Sequence, residues 1–165
     1  MDRAQGGPII ITLAARGPAR AGADARVLQA GMAEAPRDIV TQLGTAPLAD
    51  LIRRREATIK DGVTAAVLTS WFPASLADNR PALLDNSVVD DEIPGFNPER
   101  GQDWLSTWPP TYAEAHEFGI KRGSPVLIAA SRRFDDADAV IEYAELVARA
   151  DTRVEYRYDF LRDTQ

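Results

Sequence analysis

The sequence predicts an α+β domain: one antiparallel sheet built from two repeated helix–hairpin units, with helices covering one face. Three observations carry this. Apolar, β-branched runs of strand length recur between Gly, Pro and Asp punctuation. Two short helix-like runs, "PRDIVTQLG" and "PTYAEAHEFG", each stop on a glycine and lead into a hairpin-like pair of runs. The two units also align without gaps. Pro36 and Thr111, Gly44 and Gly119, and Asp61 and Asp136 each stand 75 residues apart, and Leu43 falls on Phe118.

In chain order, "PIIITLAA" (8–15) reads as a first strand, and "RGPARAGADA" as a polar loop without periodicity. The run 26–35 fits either a strand or a helix, and the strand is preferred. Pro36 then opens a short helix with Ile39, Val40 and Leu43 on its apolar face, and Gly44 stops it. "ADLIRRREATIKDG" is a strand ending in an Asp61-Gly62 turn, and "VTAAVLTSWFP" returns beside it. "PASLADNRPALLDN" starts helically and breaks at Pro81, and a long irregular loop is expected over 85–103. A strand over 104–108 follows. The next helix runs from Thr111 to Phe118, with Glu114 at the capping-box spacing from Thr111. A second hairpin turns at "DDAD", and "TRVEYRYDF" closes the chain as a strand.

Length and composition set limits. The 165 residues suit one domain with a real core, at 45% hydrophobic and 27% charged residues. Zero cysteines exclude disulfides, thiolate metal sites and cysteine nucleophiles. No run reaches the roughly eighteen apolar residues of a membrane span. The N-terminus lacks the pattern of a signal peptide, so a cytoplasmic location is expected. A net charge of −6 argues against a broad basic surface for nucleic acid. Phosphate-loop, dinucleotide, HExxH and GxSxG motifs are missing, and the one histidine, His116, lies in the second helix run. No cofactor and no metal are expected.

The arginines are the informative residues. "LIRRRE" and "ASRRF" hold five of them at strand-like sites. Alternation puts Leu51, Arg53, Arg55 and Ala57 on one side and Ile52, Arg54 and Glu56 on the other. Val126, Ile128, Ala130, Arg132 and Phe134 also share a side. Arg53, Arg55 and Arg132 thus follow apolar neighbours onto one face, which is costly unless a carboxylate or an anionic ligand meets the guanidinium. A guanidinium fork suits phosphate, sulfonate or carboxylate. Two readings of Arg132 stand together: pairing with Glu142 on the return strand, and shared ligand contact. Ser70 and Trp71, in "TSWFP", are candidate cavity-lining residues.

"WPPTYAEAHEFGIKRGSPVLIAASRRFDDADAVIEYAELVARADTRVEY" resembles the second half of the UTRA domain of GntR-type transcription regulators of the HutC subfamily. Its elements are a Pro-Thr-x-x-Glu-Ala helix start, "FGI", "RGSPVL", a basic strand end, an acidic turn, "IEYAE" and "RAD". "APRDIVTQLG…LIRRRE…DGVTAAVLTSWFP" resembles the first half, and the likeness covers roughly 26–158. The resemblance implies a chorismate-lyase-like fold and a small-molecule sensor that acts through a homodimer. Its effector would be a small anionic or polar metabolite. In relatives that bind sugar phosphates, first-hairpin arginines grip the anion and a late glutamate holds hydroxyls. By position those roles fall to Arg53 and Arg55 and to Glu142.

Three departures stand out. The winged helix-turn-helix that precedes this domain is missing over 1–165, so DNA contact is expected only through a separate N-terminal domain. The segment "DNSVVDDEIPGFNPERGQ" lacks the Ser-x-Tyr contact of relatives. Ala148 stands where a tyrosine is common. The expected function is an effector-binding and dimerisation domain without enzyme activity. The alternatives are a lyase-like enzyme on the same fold and a purely structural dimerisation module.

Overall fold

The computed structural model describes residues 9–14, 17–20, 24–86 and 98–156. Its main sheet has six strands, all neighbours antiparallel, in the order β3-β4-β5-β8-β7-β6. These are β3 (Asp24–Glu34), β4 (Asp50–Lys60), β5 (Val63–Pro73), β6 (Arg100–Trp108), β7 (Val126–Phe134) and β8 (Val140–Arg149). The order is symmetric about the β5–β8 seam, so β3 answers β6 and β4 answers β7. This is the architecture expected of two helix–hairpin units.

Both helices lie on one face. In α1 (Arg37–Leu43), Ile39, Val40 and Leu43 are buried against Leu51, Trp71 and Tyr143. Gly44, at φ 66°, ends the helix where a side chain would be strained. Following α2 (Tyr112–Glu117), Phe118 packs on Ala57, Val67 and Val126, and Gly119 takes φ 60°. Leu43 and Phe118 are thus counterpart anchors of the two units. The opposite face carries two single 3₁₀ turns, Ala74–Leu76 and Pro81–Leu84. They bury Leu83 against Ile52, Phe72 and Ile141. We call the two sides the helix face and the turn face.

The capping box at Thr111 is formed on both sides. The Glu114 N–H donates to the Thr111 hydroxyl at 3.2 Å, and the Thr111 N–H donates to the Glu114 carboxylate at 2.7 Å. Thr111→Ala is expected to lower stability by about 1 kcal/mol in urea denaturation. An unchanged midpoint would show that packing of Phe118 alone holds the helix end.

Several elements differ from expectation. Part of the stretch read as a polar loop is strand β2 (Gly17–Arg20), which pairs with β1 (Ile9–Ala14); β1 also pairs in parallel with β9 (Thr152–Tyr156). A second, three-stranded sheet results. No side-chain periodicity marks β2, because a small hairpin arm needs only backbone pairing. Pro81 does not break a helix; it opens the second 3₁₀ turn, where its missing N–H costs nothing. β6 begins at Arg100, four residues before the expected start, because the edge of β7 offers polar residues a backbone partner. The rest of the expected loop, 87–97, and the end of the last strand, 157–160, lie outside the described residues.

Candidate functional site

The sheet divides the six candidate residues between its faces. Arg53, Trp71, Tyr143, Arg132 and Gln102 form one cross-strand row on the helix face. Arg55 lies in the next row on the same side, across from Thr69. The expectation that Arg53, Arg55 and Arg132 share a face is met. Ser70 and Glu142 point the other way, to the turn face. The structure therefore brings together Arg53, Trp71 and Arg132 in one row, and Ser70 with Glu142 on the other side. It does not bring the two groups together.

Pairing of Arg132 with Glu142 is overturned. Arg132 faces Tyr143, and Glu142 faces Arg133. A register irregularity between Arg133 and Phe134, with Phe134 opposite Val140, leaves one extra residue in β8. That extra residue lets Ile141 turn inward beside Ile52 and Phe72. Below it, Asp135 holds the turn, its carboxylate accepting from the N–H groups of Ala137 and Ala139.

On the turn face, three successive rows build a polar patch in an apolar surround. One row is Arg54, Ser70, Ala144, Ser131 and Asp103; the next holds Ile52 and Phe72 in the first half of the sheet and Glu142, Arg133 and Gly101 in the second. The third is Glu56, Leu68, Leu146, Ala129 and Leu105. Arg54 is only 3% exposed. Its Nε and Nη2 donate to Glu56 at 3.3 and 2.9 Å, and its Nη1 donates to the carbonyls of Ala82, Leu83 and Asp85 at 3.0, 3.1 and 2.7 Å. One guanidinium thus neutralises a carboxylate and ties the end of the 3₁₀ turn to the sheet. Arg133 is also buried, and its Nη1 donates to Asp103 at 2.8 Å.

Between these pairs sits Glu142, to which the Ser70 hydroxyl donates a hydrogen bond. Part of Glu142 stays accessible, yet the surrounding protein makes burial the largest influence on its carboxyl. Burial pushes it above the usual carboxylate range; Ser70 and Arg133 pull down, and Glu56 pushes up. The folded protein therefore holds this proton to higher pH than the unfolded chain, so stability falls as pH rises from the ordinary carboxylate range through the raised value. Glu142→Gln should gain stability over wild type at neutral pH and show no such gain at acidic pH. A pH-independent difference in thermal midpoints would contradict this.

The space for Arg133 comes from Gly101. A Cβ at that position would lie 2.8 Å from Arg133 Nη1. Gly101→Ala is therefore expected to push the guanidinium off Asp103 while the sheet survives, since the displaced atom ends a flexible side chain. A crystal structure of the variant with the Arg133–Asp103 contact intact would refute this.

The helix face is organised differently. Arg55 pairs with Glu117 of α2 at 3.0 Å. Among the described residues, neither Arg53 nor Arg132 has a carboxylate partner. They donate instead to the amide oxygens of Gln29 and Gln102, both at 3.2 Å. Arg53 lies 5.3 Å from the Trp71 ring centroid, and Arg132 lies 4.8 Å from that of Trp104. The Nε atoms of both are buried without a partner. Burial, and then Arg55, holds the Arg53 guanidinium below its ordinary value. Trp71 is core, under α1. The Tyr143 hydroxyl donates to Glu145 at 2.6 Å, and burial followed by that carboxylate raises it. His116 is exposed on α2. Among the described residues, no group of three or more His, Asp or Glu side chains is placed to hold a metal.

Sequence reasoning assigned Arg54 and Glu56 to the opposite side from its chosen arginines and passed over Arg133 and Asp103. Alternation gave the sides correctly. What was missing was knowledge of which side the 3₁₀ turns enclose.

The architecture is an antiparallel sheet with helices on one face and a patch of paired charges on the other. The chain matches the UTRA domain over residues 20–153 and belongs to that family. Its fold is shared with the effector domain of PhnF from Mycobacterium smegmatis, at TM-score 0.69 and 21% identity, covering 86% of this chain and 88% of that one. PhnF from the same organism, in a longer chain, aligns at TM-score 0.73 and 20% identity, covering 92% and 72%. The C-terminal domain of Yurk from Bacillus subtilis subsp. subtilis str. 168 aligns at TM-score 0.68 and 14% identity, covering 82% and 95%. No curated protein matches the chain.

Proposed function

We propose that this chain is the effector-binding domain of a GntR-type transcription regulator of the HutC subfamily, and that a small polar metabolite binds on the turn face. The observation that carries the site is the Ser70–Glu142 pair, held between two buried arginines that protein carboxylates already occupy. Such a site needs only a different affinity for its ligand in two arrangements of the protein. DNA affinity in a separate N-terminal domain then changes by linkage, with no chemical step. The regulator works in this reading as a cytoplasmic homodimer. Among the described residues, no helix is long and apolar enough to cross a membrane.

The test is a thermal-shift screen of polar metabolites on wild type and Glu142→Gln. A ligand at a hundred times its Kd stabilises by about 2.7 kcal/mol, which is readily seen. The variant should lose the shift. Ligands that shift both proteins equally would remove Glu142 from the site.

A second reading is favoured by one observation: among the described residues, no carboxylate pairs with Arg53 or Arg132. It places an anionic ligand on the helix face, with Arg53 and Arg132 as contacts. Loss of the ligand shift in Arg53→Gln, with Glu142→Gln unaffected, would select it.

A further inference from the structure

The turn-face patch has a charge sign, and the sign bears on what it takes. Its three rows carry two cations, Arg54 and Arg133, and three carboxylates, Glu56, Asp103 and Glu142. Both cations are engaged by protein: Arg54 by Glu56 and three carbonyls, Arg133 by Asp103. The segment over this face, 74–86, adds Asp78, Arg80 and Asp85, so it does not reverse the balance. Glu142 is the one carboxylate of the three rows without an ion pair; its hydrogen-bond partner is the neutral Ser70.

An anionic ligand at Arg54 would have to break a buried arginine–carboxylate pair, and at Arg133 it would share the guanidinium with Asp103. A cationic ligand breaks nothing and supplies the charge Glu142 lacks. We propose, resting on the turn-face reading above, that the effector of this site presents a protonated amine to Glu142, with Ser70 as the neighbouring hydroxyl contact, and that phosphate is not what the patch recognises. Of the anionic or polar effector expected from the sequence, this keeps the polar alternative and sets aside the anionic one. The arginines closest to Glu142 are structural partners of other carboxylates.

The experiment uses the whole chain, wild type and Glu142→Gln, in thermal-shift and calorimetric titrations. The probes are putrescine, agmatine and ethanolamine against inorganic phosphate, succinate and glycerol. The amines should stabilise wild type, and Glu142→Gln should weaken them by roughly tenfold or more, the value of a charge-assisted hydrogen bond. Calorimetry in two buffers of different ionisation enthalpy, at an acidic pH where the wild-type carboxyl is partly protonated, should show proton release on amine binding, because a cation lowers a carboxyl that burial raises. That release should vanish in Glu142→Gln, whereas a merely structural role for the residue would leave it unchanged. Phosphate or succinate binding that is lost in Glu142→Gln would overturn the amine assignment and leave the turn-face site standing. A panel in which no probe of any charge stabilises wild type would overturn both.

Discussion

Replacing Arg54 by methionine is expected to destabilise the domain by about 3 kcal/mol, the range found when one partner of a buried ion pair is removed. For a chain of this size that is a fall in Tm of roughly 6–12 °C. Arg54 is 3% exposed, and it has two tasks. It neutralises Glu56, whose side chain is 12% exposed, and it donates to three carbonyls at the end of the Pro81–Leu84 turn. Methionine fills similar space and gives none of the four oxygens the hydrogen bond that the guanidinium supplies. Lysine should rescue little, because one ammonium cannot reach both the carboxylate and the turn in the way a planar fork does. Arg54→Met with Glu56→Leu should recover part of the loss by removing the stranded carboxylate, and the remainder measures the carbonyls. Urea denaturation of the three variants separates these terms. A single-variant loss under about 0.5 kcal/mol, ordinary for a surface position, would show that water takes over both tasks.

The same residue shows how far the sequence could be read. Strand alternation put Arg53 and Arg55 on one side and Arg54 on the other, and the register agrees. Alternation has no sign, however: it separates two faces without saying which will be enclosed. That is decided by the 74–86 segment, which reads as a helix start broken at Pro81 and forms two short 3₁₀ turns instead. Local chemistry with a fixed geometric demand was legible. Gly44 and Gly119 end helices at positive φ, and Thr111 with Glu114 forms its reciprocal cap. The partner of Glu142 was not legible, because one extra residue before it changes which arginine it faces. A bulge costs the sequence nothing visible. Strands β2 and the first part of β6 were missed for a related reason: an edge segment needs a neighbour's backbone more than its own side-chain pattern.

The repeat makes a sharper demand on stability. Phe118 is 1% exposed and fills the space between Ala57, Val67 and Val126, so Phe118→Ala should cost about 3–5 kcal/mol. Leu43, its counterpart 75 residues earlier, packs at the other end of the helix face, in a separate cluster with Trp71 and Tyr143. Leu43→Ala should cost about 2–5 kcal/mol, at the lower end if α1 settles into the gap. Because the two clusters share no residue, the losses should add within about 0.5 kcal/mol. The sum, roughly 5–10 kcal/mol, equals the whole stability of an ordinary domain. The double variant should therefore be unfolded at room temperature by circular dichroism, while each single variant keeps a cooperative urea transition. A double variant no less stable than Phe118→Ala alone would mean that the two helices are not independent clamps on one sheet. It would also mean that the 75-residue correspondence has no energetic counterpart.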